Sequence, residues 1–271
     1  MLSCNGPTAP QGARASTPAL VVDANAYLGE WPFRPQRHRT ATALRGALEG
    51  VSITRALVSP LAAIFRQECE AANCELLRAL KRTGGFFVPI PAVNPAFPGW
   101  ERDLEAALGA SAPGMRLFPN YHAYSLGDIE ARAAVTQAAA SGLAVFISLR
   151  MQDERHHHPR MMAPAVPADE VADLARAVPE ARIIACMARY AEAEALLAAD
   201  NVWLDLSGVQ GPVGCVDVLA EHFGAERLLM GTGAPLQYPL PAVAKVHASE
   251  LPAAERDAIL GGNAAFLLRL L

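Results

Sequence analysis

From residue 19 onward, short apolar runs alternate with longer segments whose apolar residues recur at helical spacing. The short runs predict eight strands: Ala19–Ala24, Arg55–Ser59, Phe86–Val93, Gly114–Phe118, Leu143–Leu149, Arg182–Met187, Val202–Leu206 and Arg227–Gly231. Leu143–Leu149 carries no charge and is rich in β-branched and aromatic side chains, as a strand buried on both faces of a parallel sheet would be. Between the runs, Leu44 and Leu48, Ala72 and Leu76, Leu104 and Leu108, Val171 and Leu174, Leu196 and Leu197, and Val216 and Leu219 mark amphipathic helices. Gly84-Gly85, Gly142 and Pro179 punctuate them.

Eightfold β-α alternation is the pattern of a (β/α)8 TIM barrel, here an α/β single domain over residues 19–271. A doubly wound open sheet would normally carry a glycine-rich phosphate loop after the first strand, and the chain has none there. Residues 1–18, rich in Pro, Ala, Gly, Ser and Thr, read as a disordered lead-in without the apolar core of a signal peptide.

Composition narrows the function. The 271 residues are 52% hydrophobic and 18% charged with net charge −4, too small a charge to argue for nucleic acid or an acidic membrane surface. No apolar stretch is long enough to span a bilayer. A small molecule is the expected partner, and a homo-oligomer is compatible with the chain. Five cysteines, odd in number and without CxxC spacing, indicate neither a disulfide framework nor a zinc ribbon, so a cytoplasmic setting is expected.

Sites in a barrel form at the carboxyl ends of the strands. Those ends supply Asp23, Asn25 and Tyr27; Asn120, Tyr121 and His122 after the fourth strand, with Arg116 inside it; and Arg150, Asp153, Arg155, His157 and His158 after the fifth. His122 with His157 or His158 is the expected acid–base pair, with Asp153 orienting one imidazole. Arg34, Arg116, Arg150 and Arg155 are expected to gather around an anionic ligand, with Asn25, Tyr27, Asn120 and Tyr121 as further contacts. The alternative for Arg155 is a simple pair with Asp153 or Glu154.

Val21–Gly29 (VVDANAYLG), RLFPNYHAY from Arg116, ARIIACMAR from Ala181, LLMGTGAP from Leu228 and the terminal ILGGNAAFLLRLL resemble, in order, the strand-end blocks of the amidohydrolase-related metal-dependent hydrolases. The resemblance implies the barrel fold. It also implies a site in which the first strand gives a His-x-His pair, the fifth and sixth each a His, and the eighth an Asp before Ala-Pro. Carried over position by position, this chain has Asn25, Tyr27, Ser148, Cys186 and Gly233. The usual metal site is therefore expected to be degenerate, and no cofactor is expected at those positions. A rebuilt site for a divalent metal such as zinc would use His122, His157 and His158, provided the loop turns between the last two.

Two functions remain open on these grounds. One is an amidohydrolase-like hydrolase, or a related lyase, acting on a small carboxylated compound. The other is a catalytically inactive barrel serving as a binding or scaffold protein.

Overall fold

A computed structural model describes residues 20–158 and 162–270. The expected lead-in, residues 1–18, lies outside the described residues. Eight strands occur where the apolar runs are: β1 Val22–Leu28, β2 Arg55–Pro60, β3 Phe87–Pro89, β4 Gly114–Leu117, β5 Ala144–Ser148, β6 Ile183–Cys186, β7 Val202–Asp205 and β8 Leu228–Leu229. All pair in parallel, as β1-β2-β3 and β4-β5-β6-β7-β8.

Backbone hydrogen bonds join the two sheets at both seams. Just past β3, Ala92 bridges Arg116, with the Val93 N–H donating to the Arg116 carbonyl at 2.9 Å. Across the other seam the Ala24 N–H donates to the Met230 carbonyl at 2.9 Å. The sheet thus closes into the predicted (β/α)8 barrel.

Two strands differ from expectation, each for a backbone reason. Regular pairing in β3 stops at Pro89 because Pro89 and Pro91 have no N–H to give a ladder. β1 was expected to end at Ala24 but pairs with β2 as far as Leu28, through a bulge between Asp23 and Ala26. Asn25 and Tyr27 are therefore inside the strand, not beyond it.

Helices cover the outside. The two longest outside the expected segments are Ile129–Ala140 and Pro239–His247. The first buries Ala131, Ala134, Val135 and Ala138, a helical face built almost wholly from alanine. Its periodicity is real, but alanine on the exposed face hides it.

Inside the barrel, Val22, Ala24, Leu57, Ile90, Phe146, Ile184 and Leu229 form an apolar floor. Burying each large side chain there contributes about 1.5–3 kcal/mol. The helix Asn263–Leu267 closes that end with Ala264 and Leu267, joined by Leu268 just beyond it. Arg55 and Arg182 fasten the closure by donating to the Leu270 and Leu267 carbonyls. No helix among the described residues is long and apolar enough to cross a membrane.

Candidate functional site

The bulge in β1 creates the upper half of the barrel interior. Alternation sends Val22 and Ala24 inward, and one extra residue switches the parity so that Asn25 and Tyr27 also face the axis. Ala26 and Leu28 then join the apolar layer under the helices. A strand that begins apolar on the inside thus ends polar on the inside.

At this level the axis is filled by Arg116 from β4, which is fully buried. Its Nη1 donates to Tyr27 Oη at 2.8 Å, Asn25 Oδ1 at 2.9 Å and Ser148 Oγ at 3.0 Å. Its Nε donates to Ser59 Oγ at 2.7 Å. The guanidinium lies 4.8 Å from the Tyr27 ring centre and 5.2 Å from that of Phe146, within range of cation–π attraction. Nη2 has no hydrogen-bond partner among the described residues.

The counter-charge is one residue away. Asn25 accepts from Arg116 through Oδ1 and donates through Nδ2 to Asp205 Oδ2 at 2.8 Å and to Ser207 Oγ at 3.0 Å. Asp205 also accepts from the Ser207 hydroxyl, the Ser207 N–H and the Met187 N–H. Burial raises its carboxyl pKa above the ordinary value, against the opposing effect of those hydrogen bonds. Gly231 makes this packing possible, because a Cβ there would stand 1.9 Å from Asp205 Oδ1. Beside it, Asp23 accepts from the Thr232 N–H and hydroxyl, and burial pushes its pKa up to about 6.

Above this network the strand-end loops enclose a cleft of two adjoining lobes that share Gln152, Asp153, Gln210 and Gln237. The wider lobe, about 640 Å³, is edged by Arg150, Arg155 and Arg189. The narrower, about 380 Å³, has Ser207 on its wall and is flanked by Trp31, Tyr238, Arg34, Lys245 and His156.

The expected site residues divide between these layers. Asn25, Tyr27 and Arg116 are brought together on the axis. Arg34, Arg150, Asp153 and Arg155 line the cleft, but Arg150 is bound by Glu192 and the Met187 carbonyl. Arg155 pairs with Asp153 and holds that carboxyl well below the usual carboxylate range. The four arginines therefore do not surround one point.

His122 sits apart from these groups. Its Nε2 is 2.9 Å from the Ala63 carbonyl, and burial lowers its pKa, opposed by that bond. Tyr121 stands in an aromatic cluster with Trp31 and Phe65, and burial pushes its phenol up to about 12. Asn120 contacts the Leu149 carbonyl at 3.4 Å. His157 accepts from the Ala163 N–H at 3.4 Å through Nδ1, and His158 lies exposed at the end of that loop. His122, His157 and His158 are not brought together, and the described residues contain no group of three or more His, Cys, Asp or Glu placed to hold a metal.

The amidohydrolase family model matches residues 20–270. The chain belongs to the amidohydrolase family. Among curated proteins no relative matches. Solved structures do resemble this amidohydrolase-family barrel. A 5-carboxyvanillate decarboxylase from Sphingomonas paucimobilis aligns with TM-score 0.74 at 16% identity, over 93% of this chain and 99% of that one. A dihydroxybenzoic acid decarboxylase from Polaromonas sp. JS666, with bound manganese and 2-nitroresorcinol, aligns at 0.73 and 15% identity, over 93% and 97%. A 2,6-dihydroxybenzoate decarboxylase complexed with 2,6-dihydroxybenzoate aligns at 0.71 and 14% identity, over 94% and 99%.

The family implies a divalent metal, and the side chains at its five positions do not fit one. Gly233 has no donor, and Asn25 and Ser148 offer neutral oxygens already engaged by Arg116. Tyr27 Oη accepts from Arg116 and is bonded to Ser148 Oγ, and burial pushes the Cys186 thiol up to about 12, so one soft donor stands alone among groups already engaged by the guanidinium. A divalent ion among these side chains would also meet the charge of the Arg116 guanidinium that already bonds three of them.

Gln152, Gln210, Gln237, Lys245 and His156 were missed as site residues. Only His156 carried a signal, its place in the loop cluster. Lys245 comes from the last turn of the helix Pro239–His247, which no motif marks.

Proposed function

We propose that this amidohydrolase-family protein acts on a small carboxylated compound, by hydrolysis or by a related lyase step such as decarboxylation. The observation that carries the reading is the narrower lobe, where Arg34 donates to the Leu236 carbonyl at 2.7 Å and Lys245 to the Leu206 and Val209 carbonyls at 2.8 Å each. Neither cation makes an ion pair in the described structure. A ligand carboxylate supplies the counter-charge that Arg34 and Lys245 lack, and Trp31 and Tyr238 suit a flat, aromatic body attached to it. That several structural relatives decarboxylate aromatic acids supports the same substrate class.

The lyase step is the one for which the lobe carries a proton source. In decarboxylation the bond to the carboxylate breaks, carbon dioxide leaves, and the electron pair left on carbon takes a proton. The Ser207 hydroxyl on the lobe wall, held by the buried Asp205 carboxylate, is the donor placed to deliver that proton. Asp153 and His156 line the same lobe as acceptors for a hydrolytic alternative.

Equilibrium binding of hydroxybenzoates to wild type and Arg34→Ala, followed by chromatography of the incubated mixtures, tests the reading. Weakened binding in the variant and product formation that falls in Asp205→Asn are expected. Equal affinity in wild type and Arg34→Ala rejects the lobe as the site.

One observation favours the second reading, a binding barrel without chemistry. His122, the imidazole at the end of β4, bonds a backbone carbonyl and not a carboxylate. A carboxylate that binds through Arg34 and is recovered unchanged would support it.

A further inference from the structure

We infer that Arg116 is the resident cation of this barrel, standing on the axis among the side chains that replace the family's metal ligands, and that the protein folds and keeps its barrel closed without a divalent ion. The inference concerns the axis alone and does not depend on the substrate proposed for the cleft.

Three observations converge on it. First, Arg116 Nη1 touches three of the five substituted positions at once: Asn25, Tyr27 and Ser148. Second, the fourth, Cys186, lies near enough for the guanidinium to oppose the rise in its pKa. Arg116 is thus surrounded by the residues that would otherwise face an ion.

Third, the charge is compensated. Asn25 is oriented with its oxygen toward the cation and its amide nitrogen toward Asp205, so it couples the buried positive group to a buried negative one. The aromatic faces of Tyr27 and Phe146 complete the enclosure. Removing the guanidinium would leave four oxygens and Asp205 without their cation, and adding a metal would place a second cation beside it.

Elemental analysis of protein purified without a histidine tag, paired with thermal unfolding in excess EDTA and then in excess manganese or zinc, tests the inference on the intact chain. Substoichiometric metal and a midpoint that moves by less than about 1 °C between those conditions are expected. Arg116→Met should lower the midpoint by roughly 10 °C or prevent folding, and Arg116→Lys, which keeps the charge but loses the fork, should fall between. Stoichiometric metal whose removal lowers the wild-type midpoint overturns the inference. So does an Arg116→Met protein that unfolds with wild type.

Discussion

The barrel axis and the rim cleft use the same residue types in opposite ways. On the axis, Arg116 is fully buried and four of its bonds go to side chains of β1, β2 and β5. On the rim, Arg34 and Lys245 rest on backbone carbonyls beside open space. A cation held by a built network is part of the fold, whereas one resting on neutral carbonyls retains charge for a ligand. The two layers meet at Ser207, which bonds Asp205 below and lines the cleft above.

The largest effect should come from the axis. Arg116→Met strands Asp205 in a dry interior, a loss of about 3–5 kcal/mol in chemical unfolding; a loss comparable to a surface change would erase the contrast. Next comes Asp23, whose pKa is raised by burial to about 6. Its folded form favours the proton, so its contribution to stability is present below the unfolded pKa near 4 and lost as pH rises through 6. The stability of wild type relative to Asp23→Asn should therefore fall by roughly 2 kcal/mol between pH 4 and 7; a flat difference would place Asp23 outside the buried network.

Intermediate effects test the boundary. Arg150 is almost buried and bound by half-buried Glu192, so Arg150→Ala should cost about 2 kcal/mol of stability through the stranded carboxylate. If it instead weakens ligand binding with stability unchanged, Arg150 belongs to the rim class. Arg155→Ala, removing an exposed pair with Asp153, should leave the unfolding midpoint in the same assay indistinguishable from wild type.

How much of this was legible follows from what each residue depends on. The strands were readable because burial on both faces favours short, mostly apolar runs, and β5 was found to within a residue at each end. The alanine helix Ile129–Ala140 was not, because its buried face is chemically the same as much of its exposed one. The site was partly legible, in that Asn25, Tyr27 and Arg116 were singled out and do meet. Their role was not, because the β1 bulge that turns Asn25 inward has no sequence mark, and Arg116, although placed inside its strand, was expected to face a ligand where it bonds neighbouring side chains. Lys245 and Gln237 reach the cleft only through the closure of β8 on β1.

The division between a filled axis and an open rim is tested most directly by calorimetric titration of a hydroxybenzoate into wild type and Arg34→Ala, each in the presence of EDTA. The account predicts binding to wild type despite the chelator and at least about tenfold weaker binding to the variant. Binding that requires added metal, or that is unaltered by loss of Arg34, would contradict it.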